Sequence, residues 1–300
     1  TGKAHGWQMG LLDMQTKKIE DEQINAHNIF VYRTRKDIDD IGSFAGGIIT
    51  NSLNTSGNDS SGQSFGLGIV KKLNSQTTVV GSLAGTTLNG NFKNIGEQMD
   101  YNAGFFHTAK QGWYGCTDID WTEKNFSPAL GYIPENDLLF LRGDLGYKWQ
   151  AKQESKQAYY YLHTNLRYKW KPDLGEEETK FVNAEAGVSF KNGSAIDITP
   201  VEYLTDVVFE DWHLSDHITI PLGKYEMFTP DIELTLPQKG KYWGSLFIKL
   251  LDFYGGHRVT IQPNFTFVFN KHLSARIEYE YDHIKFPDEY SDIGNGLFRS

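Results

Sequence analysis

The chain has 300 residues and a formal net charge of −9, with 29 Lys and Arg against 38 Asp and Glu. That acidity argues against nucleic acid as the main partner, because phosphate binding requires a basic surface. Hydrophobic residues make up 39% and mean hydropathy is −0.48, and no apolar run reaches the ~20 residues that a spanning helix needs.

A membrane β-barrel passes that test, because only alternate residues of its strands meet lipid. The 16 Tyr, 19 Phe, 7 Trp and 30 Gly suit a β-rich chain with many turns. Cys116 stands alone, so no internal disulfide is available.

In chain order, Trp7, Met9 and Leu11 open a first strand, followed by a charged loop over 17–25. Residues 29–36 make a second, with Arg33 and Arg35 on the parity opposite Tyr32 and Thr34. Residues 42–50 make a third, and the Ser/Asn/Gly-rich stretch 51–63 reads as a loop. Strands 64–73 and 77–88 form a hairpin around Asn74-Ser75-Gln76, and 97–109 and 113–121 another around Lys110-Gln111-Gly112.

The middle alternates most cleanly. Leu139, Leu141, Leu145, Tyr147 and Trp149 interleave with Phe140, Arg142, Asp144 and Lys148. Tyr160, Leu162, Leu166, Tyr168 and Trp170 interleave with His163, Asn165, Arg167 and Lys169. Val182, Ala184, Ala186, Val188 and Phe190 interleave with Asn183, Glu185 and Ser189 before an Asn192-Gly193 hairpin turn. Phe228, Ile232, Leu234 and Leu236 oppose Asp231 and Glu233, and 242–254 supplies the next strand.

The last hairpin spans 259–282. Val259, Ile261, Phe265, Phe267 and Phe269 share one parity, with Thr260, Gln262, Asn264 and Thr266 on the other. After Asn270-Lys271-His272, Leu273, Ala275, Ile277, Tyr279 and Tyr281 oppose Ser274, Arg276, Glu278, Glu280 and Asp282. Successive strand side chains point to opposite faces, so each limb has an apolar and a polar wall.

The count comes to about fifteen or sixteen strands near bilayer length with no helical period. Short turns alternate with longer polar loops (51–63, 89–96, 173–178, 211–224, 287–296), the arrangement of outer-membrane barrels. Gly255-Gly256 is the exception, a tight turn where a long loop is due. The expected fold is an all-β, antiparallel up-and-down transmembrane β-barrel, a single domain over 1–300. Thr1-Gly2-Lys3-Ala4 runs almost directly into a strand, and Leu297-Phe298-Arg299-Ser300 reads as the start of another. The sequence is therefore expected to be a piece of a longer chain, truncated at both ends.

Several stretches carry a family resemblance. They are Gly6-Trp7-Gln8-Met9-Gly10-Leu11-Leu12 with Gln15-Thr16, the Val31-Tyr32-Arg33-Thr34-Arg35-Lys36-Asp37 core of 28–37, and Ile48-Ile49-Thr50-Asn51. Asn125-Phe126-Ser127-Pro128-Ala129-Leu130-Gly131-Tyr132-Ile133-Pro134 and Ile220-Pro221-Leu222-Gly223-Lys224-Tyr225 complete the set. In order and spacing they resemble the C-terminal outer-membrane barrel of a bacterial family known as domain of unknown function 5916. Members of that family join the barrel to an N-terminal β-sandwich similar to a family 9 carbohydrate-binding module, and some are labelled membrane-associated hydrolases. The resemblance spans nearly the whole chain and marks barrel and loop geometry. The sandwich, the barrel's start and its final strands have no counterpart here, and the family supplies no catalytic residues to carry over.

Fifteen titratable residues fall on the polar parity and are expected to line the lumen: Arg33, Arg35, Arg142, Asp144, Lys148, His163, Arg167, Lys169, Glu185, Asp231, Glu233, Arg276, Glu278, Glu280 and Asp282. Basic residues crowd the early and middle strands and acidic ones the late strands. Such walls can select polar solutes by charge or fill the interior with ion pairs.

Other chemistry is thin. His213 and His217, in Glu210-Asp211-Trp212-His213-Leu214-Ser215-Asp216-His217, are weak metal-ligand candidates on what reads as an exposed loop. No Gly-x-Ser-x-Gly elbow is present. His163 with Thr164 and Asn165 invites comparison with a barrel phospholipase, but His163 and Thr164 point to opposite faces. Glu278 and Glu280 could mimic a glycosidase pair, and Asn58-Asp59-Ser60-Ser61-Gly62 lacks the full calcium-loop pattern.

The sequence thus points to a non-enzymatic, porin-like protein of a Gram-negative outer membrane, without cofactor. It would contact outer-membrane lipid, polar solutes or oligosaccharides, and other outer-membrane proteins. The alternatives are a scaffold subunit of an export or assembly complex, a cell-surface hydrolase, and a soluble β-solenoid or sandwich.

Overall fold

A computed structural model of the chain describes residues 1–21, 24–56, 61–215, 217–237 and 240–290. Among them the strands are β1 Gly2–Ala4, β2 Trp7–Gln15, β3 His27–Asp37, β4 Phe44–Asn54, β5 Gly62–Lys72, β6 Thr77–Leu88 and β7 Met99–His107. There follow β8 Gly112–Thr122, β9 Leu138–Gln150, β10 Gln157–Lys171, β11 Glu176–Phe190 and β12 Ala195–Val208. Then come β13 Trp212–Ser215, β14 Ile218–Ile220, β15 Gly223–Phe228, β16 Asp231–Thr235, β17 Tyr242–Phe253, β18 Gly256–Asn270, β19 Leu273–Glu278 and β20 Tyr281–Lys285. Among the described residues helix is confined to two short 3-10 segments, Ile95–Gln98 and Asp288–Tyr290. The fold is all-β, antiparallel and up-and-down. Among the described residues no strand pairing closes a ring, and no helix is long and apolar enough to cross a membrane.

Two compact units divide the chain. One comprises Thr1–Thr108, Cys116–Leu141 and Trp170–Glu176; the other, Ala109–Gly115, Arg142–Lys169 and Glu177–Ser300. In the first, β2 to β7 form a meander in which each strand pairs with the next. Directly opposed residues share a face, so Arg33 lies with Gly10, Ile48, Gly66 and Ala84. Tyr32 lies with Leu11, Ile49 and Phe65 on the other face.

The second unit shows the rule in one transect. Across β12, β16, β17, β18 and β20, Ile198, Ile232, Ile248, Ile261 and Tyr281 stand side by side. One residue along, Thr199, Asp231, Lys249, Thr260 and Asp282 form the opposite row. Exposure runs against the usual order. Ile198 is 44% exposed, whereas Thr199 is 5% and Thr260 4% exposed. Among the described residues only Phe126, Ile218, Ile220, Met227 and Phe286 are buried hydrophobics, against fourteen buried polar or charged side chains.

Aromatic rings of the apolar face gather near strand ends. Trp113 meets Tyr147 edge-on at 5.0 Å, and Tyr147 lies 4.7 Å from Trp149, toward the short turns. Tyr101 and Trp121 pair at 6.1 Å toward the long loops.

Several expectations need correction. The loop at 51–63 is shorter, because β4 continues to Asn54 and β5 starts at Gly62. The strand expected from 97 begins at Met99, behind the 3-10 turn. The tight β17–β18 turn is Tyr254-Gly255, both with positive φ (47° and 82°), the two-residue geometry whose twist matches a hairpin; Gly256 already belongs to β18. Two limbs expected as continuous are interrupted. Pro263 in β18 uses its carbonyl to accept from Tyr279 N at 3.1 Å but has no N–H to return, so pairing breaks between β19 and β20. Pro230 likewise separates β15 from β16, both of which pair with β12, a continuous strand whose pairing with β11 shifts register around Pro200. The expected strand at Leu297-Phe298-Arg299-Ser300, Asn58, Asp59 and Ser60 of the calcium-loop candidate, and Asp216 lie outside the described residues.

Candidate functional site

The polar face of the second unit gathers most of the expected residues. Asp144 on β9, His163 on β10 and Glu185 on β11 converge, with His163 Nε2 2.9 Å from Asp144 Oδ1 and Nδ1 3.8 Å from Glu185 Oε2. The Nε2 contact has ion-pair distance, but the N–H is not aimed at the oxygen. Tyr161 presents its hydroxyl to Glu185 at 2.5 Å and also meets Asp197. Gly187 makes this possible, since a Cβ there would fall 2.2 Å from the Tyr161 ring and 2.3 Å from Asp197. Lys148 lies 5.1 Å over the Tyr114 ring and 4.9 Å over Tyr159, cation–π distances. Arg167 stacks on Phe181 at 5.0 Å, and Lys169 reaches Glu178 at 3.4 Å. Arg142 sits on the same strand as Asp144.

The acidic late strands are less bare than the sequence implied. Arg258 grips Asp282 with two hydrogen bonds, 2.9 Å from Nε and 2.6 Å from Nη2, while Thr260 adds a third at 2.6 Å. Glu280 stands 3.6 Å from the same guanidinium, and Arg276 pairs with Glu278. Lys249 donates to Glu202 at 2.5 Å, beside a second donor from Thr229, and stands opposite Asp231. Sequence reasoning missed Arg258, Lys249, Glu202 and Asp197. The first two are lone cations in otherwise neutral runs, and only the register reveals their partners. Glu233 faces Asp197 and Phe247 across the ladder. With Gln262, Asn264, Glu278 and Glu280 it borders an open hollow of about 530 Å³.

Arg33 and Arg35 belong to the first unit. Arg35 stacks on Phe44 at 3.6 Å and pairs with Asp37 at 3.2 Å.

Long loops fold onto the polar face in both units; the first is the 125–134 stretch of the family resemblance, and the second ends at Ile220, where another such stretch begins. Phe126 is 6% exposed, Ser127 N donates to Thr86 Oγ1 at 3.1 Å, and Ala129 occupies the space that a side chain at Gly62 would need. In the second unit, residues 212–215 are not a bare loop, because β13 pairs with β14. Its Ile218 and Ile220 bury with Phe286 against Tyr225, Phe253, Tyr254 and Ile284. Edge-on ring contacts at 5.4 and 5.2 Å tie Trp212 and Tyr225 to Tyr254. Tyr254 donates to Asp206 at 2.6 Å. Burial and that carboxylate push its phenol well above the usual tyrosine range.

His213 Nδ1 meets the Thr219 hydroxyl at 2.8 Å, and His217 N meets Ser215 Oγ at 3.3 Å. No cluster of three or more metal-ligating side chains occurs among the described residues. His27 and His107 likewise touch hydroxyls through Nδ1, of Ser52 at 3.0 Å and Thr77 at 2.9 Å. No carboxylate among the described residues orients the far nitrogen of these three rings, the third part a hydrolytic triad needs. What the face offers is a dense set of carboxylates, guanidiniums and phenol rings, able to hydrogen-bond and stack on polar solutes.

No family model, curated protein or solved structure matches the chain.

Proposed function

We propose that the chain is the barrel of an integral outer-membrane protein of a Gram-negative bacterium, and that it passes or binds polar solutes, carbohydrates among them, without catalysing a reaction. The observation that carries this reading is the inverted burial: the isoleucine row includes the exposed Ile198, while the threonines of the polar row, Thr199 and Thr260, are buried. Each large aliphatic side chain left in water forfeits about 1.5–3 kcal/mol relative to burial. A bilayer removes that penalty, and it calls for the aromatic rings found at both strand ends. Connections that are mostly short on one side and longer on the other, with the turns at 172–175 and 254–255 as exceptions, and the resemblance to the domain of unknown function 5916 barrels support the same reading. The carboxylates and tyrosines around His163 suit hydroxylated solutes, which accept and donate hydrogen bonds and stack through their C–H faces. The β13–β14 hairpin covers part of the polar face at the long-loop end of its unit.

Reconstitution into planar bilayers tests the proposal. Steady ohmic steps, reduced by added oligosaccharide, are expected. A protein that folds in detergent and stays silent would point to the scaffold role, and one that remains monodisperse in buffer without detergent would refute the membrane assignment.

A further inference from the structure

On β4 to β6 of the first unit a stretch of the polar face is largely apolar. Phe44, Gly46, Ile48, Gly66, Gly68 and Val70 lie on the side of Arg33 and Arg35, so over this stretch the strands carry no charge on either face, with Ser82 the polar residue opposite Gly68. They floor a groove of about 470 Å³, within the size range of small-molecule sites. Its edge is formed by Arg33 and Arg35, and the same two arginines border a second hollow of about 490 Å³ lined by Lys3, Gln8 and Gly10. Apolar groove and basic hollow therefore meet at a pair of guanidiniums. Asp37 is the acid beside them, 3.2 Å from Arg35 and 3.9 Å from Lys3. Arg33 has no partner among the described residues, and the Nε of Arg35 is buried without an acceptor.

We infer that this groove binds a free medium-chain amphipathic carboxylate, its alkyl tail along the glycine-lined floor and its head on Arg33 and Arg35. Three cations against one carboxylate leave the head site short of negative charge, which selects an anion. A guanidinium holds a carboxylate in bidentate fashion. Glycines at 66 and 68 remove the side chains that would otherwise fill the floor. The inference concerns the first unit alone and stands whether or not the chain conducts ions.

The test is calorimetric titration of the protein in phosphatidylcholine nanodiscs with decanoate, with protein-free discs subtracted and decyltrimethylammonium as the cationic counterpart. Decanoate is expected to saturate, with the cation at least about tenfold weaker; Arg33→Gln should weaken decanoate roughly tenfold, the scale of one charge-assisted hydrogen bond. Gly68→Leu should abolish binding while leaving the fold intact, because a Cβ at that position meets its nearest atom at an ordinary 3.5 Å. Unchanged affinity in either variant, equal binding of anion and cation, or no saturation above empty discs would overturn the proposal. Loss of decanoate binding when the discs contain phosphatidylglycerol would also overturn it, by assigning the groove to a bilayer lipid.

Discussion

Leu67 sits at the centre of β5, on the apolar face opposite Gly47 and Leu83, and is 60% exposed. Leu73, just past the end of the same strand, is 56% exposed. In water the two are equivalent, and replacing either by lysine should change stability by no more than about 0.5 kcal/mol. In a bilayer they differ, because the penalty for a charge depends on depth. Leu67→Lys then places an ammonium near the midplane, at a cost of roughly 2–4 kcal/mol, while Leu73→Lys at the boundary costs about 0–1 kcal/mol. The central variant should therefore lose roughly thirtyfold to several hundredfold in its folding equilibrium, and the boundary variant less than about tenfold. Urea titration of folding into phosphatidylcholine vesicles, followed by tryptophan emission and by mobility of unheated protein in SDS gels, measures both. Two small and equal effects would refute the bilayer placement of the apolar face.

Ile220 is fully buried, so Ile220→Ala should release the β13–β14 hairpin, at a local cost of about 2–4 kcal/mol. Faster proteolysis within 209–222 and larger unitary conductance are the expected readouts. Asp39 accepts from Lys71 Nζ and Ser43 N, both at 2.8 Å, and the Lys71 ammonium holds its carboxyl well below the usual carboxylate range. Its folded pKa is depressed, so its contribution is full above the unfolded value near 3.9 and is lost only as pH falls through the folded value. The Asp39 carboxyl carbon should accordingly show an ionised NMR shift at about pH 3, where a free aspartate is mostly protonated. Tyr254→Phe removes the hydroxyl bound to Asp206 and should cost about 1.5–3 kcal/mol at neutral pH in urea unfolding. Here the folded pKa is raised, so the contribution is present below about pH 10 and fades as pH rises through the folded value; the gap between variant and wild type should close only under strongly alkaline conditions.

The alternation of 139–149, 160–170 and 182–190 was readable because strand side chains obey a period of two, so face follows from position alone. The turns at Asn74, Lys110 and Asn192 were readable for a related reason, since turn chemistry is local. Interruption at Pro263 illustrates the limit. The residue is plain in the sequence, but whether its missing N–H faced β17 or β19 depends on the register. The partners of Arg258 and Lys249 were hidden for the same reason: Asp282 and Glu202 are 24 and 47 residues away, and ion pairing depends on distance in space.

The sequence by itself determined that this is a chain of two-faced strands, with the apolar side chains on one parity and the charges on the other. Tertiary structure alone decided that buried side chains are mostly polar ones, that Phe126 and Ile220 bury as their loops fold onto the polar face, and that the arginines at 33 and 35 border an apolar groove. Periodicity is a property of neighbouring residues along one backbone, whereas burial, loop docking and charge pairing are set by pairings between strands far apart in sequence.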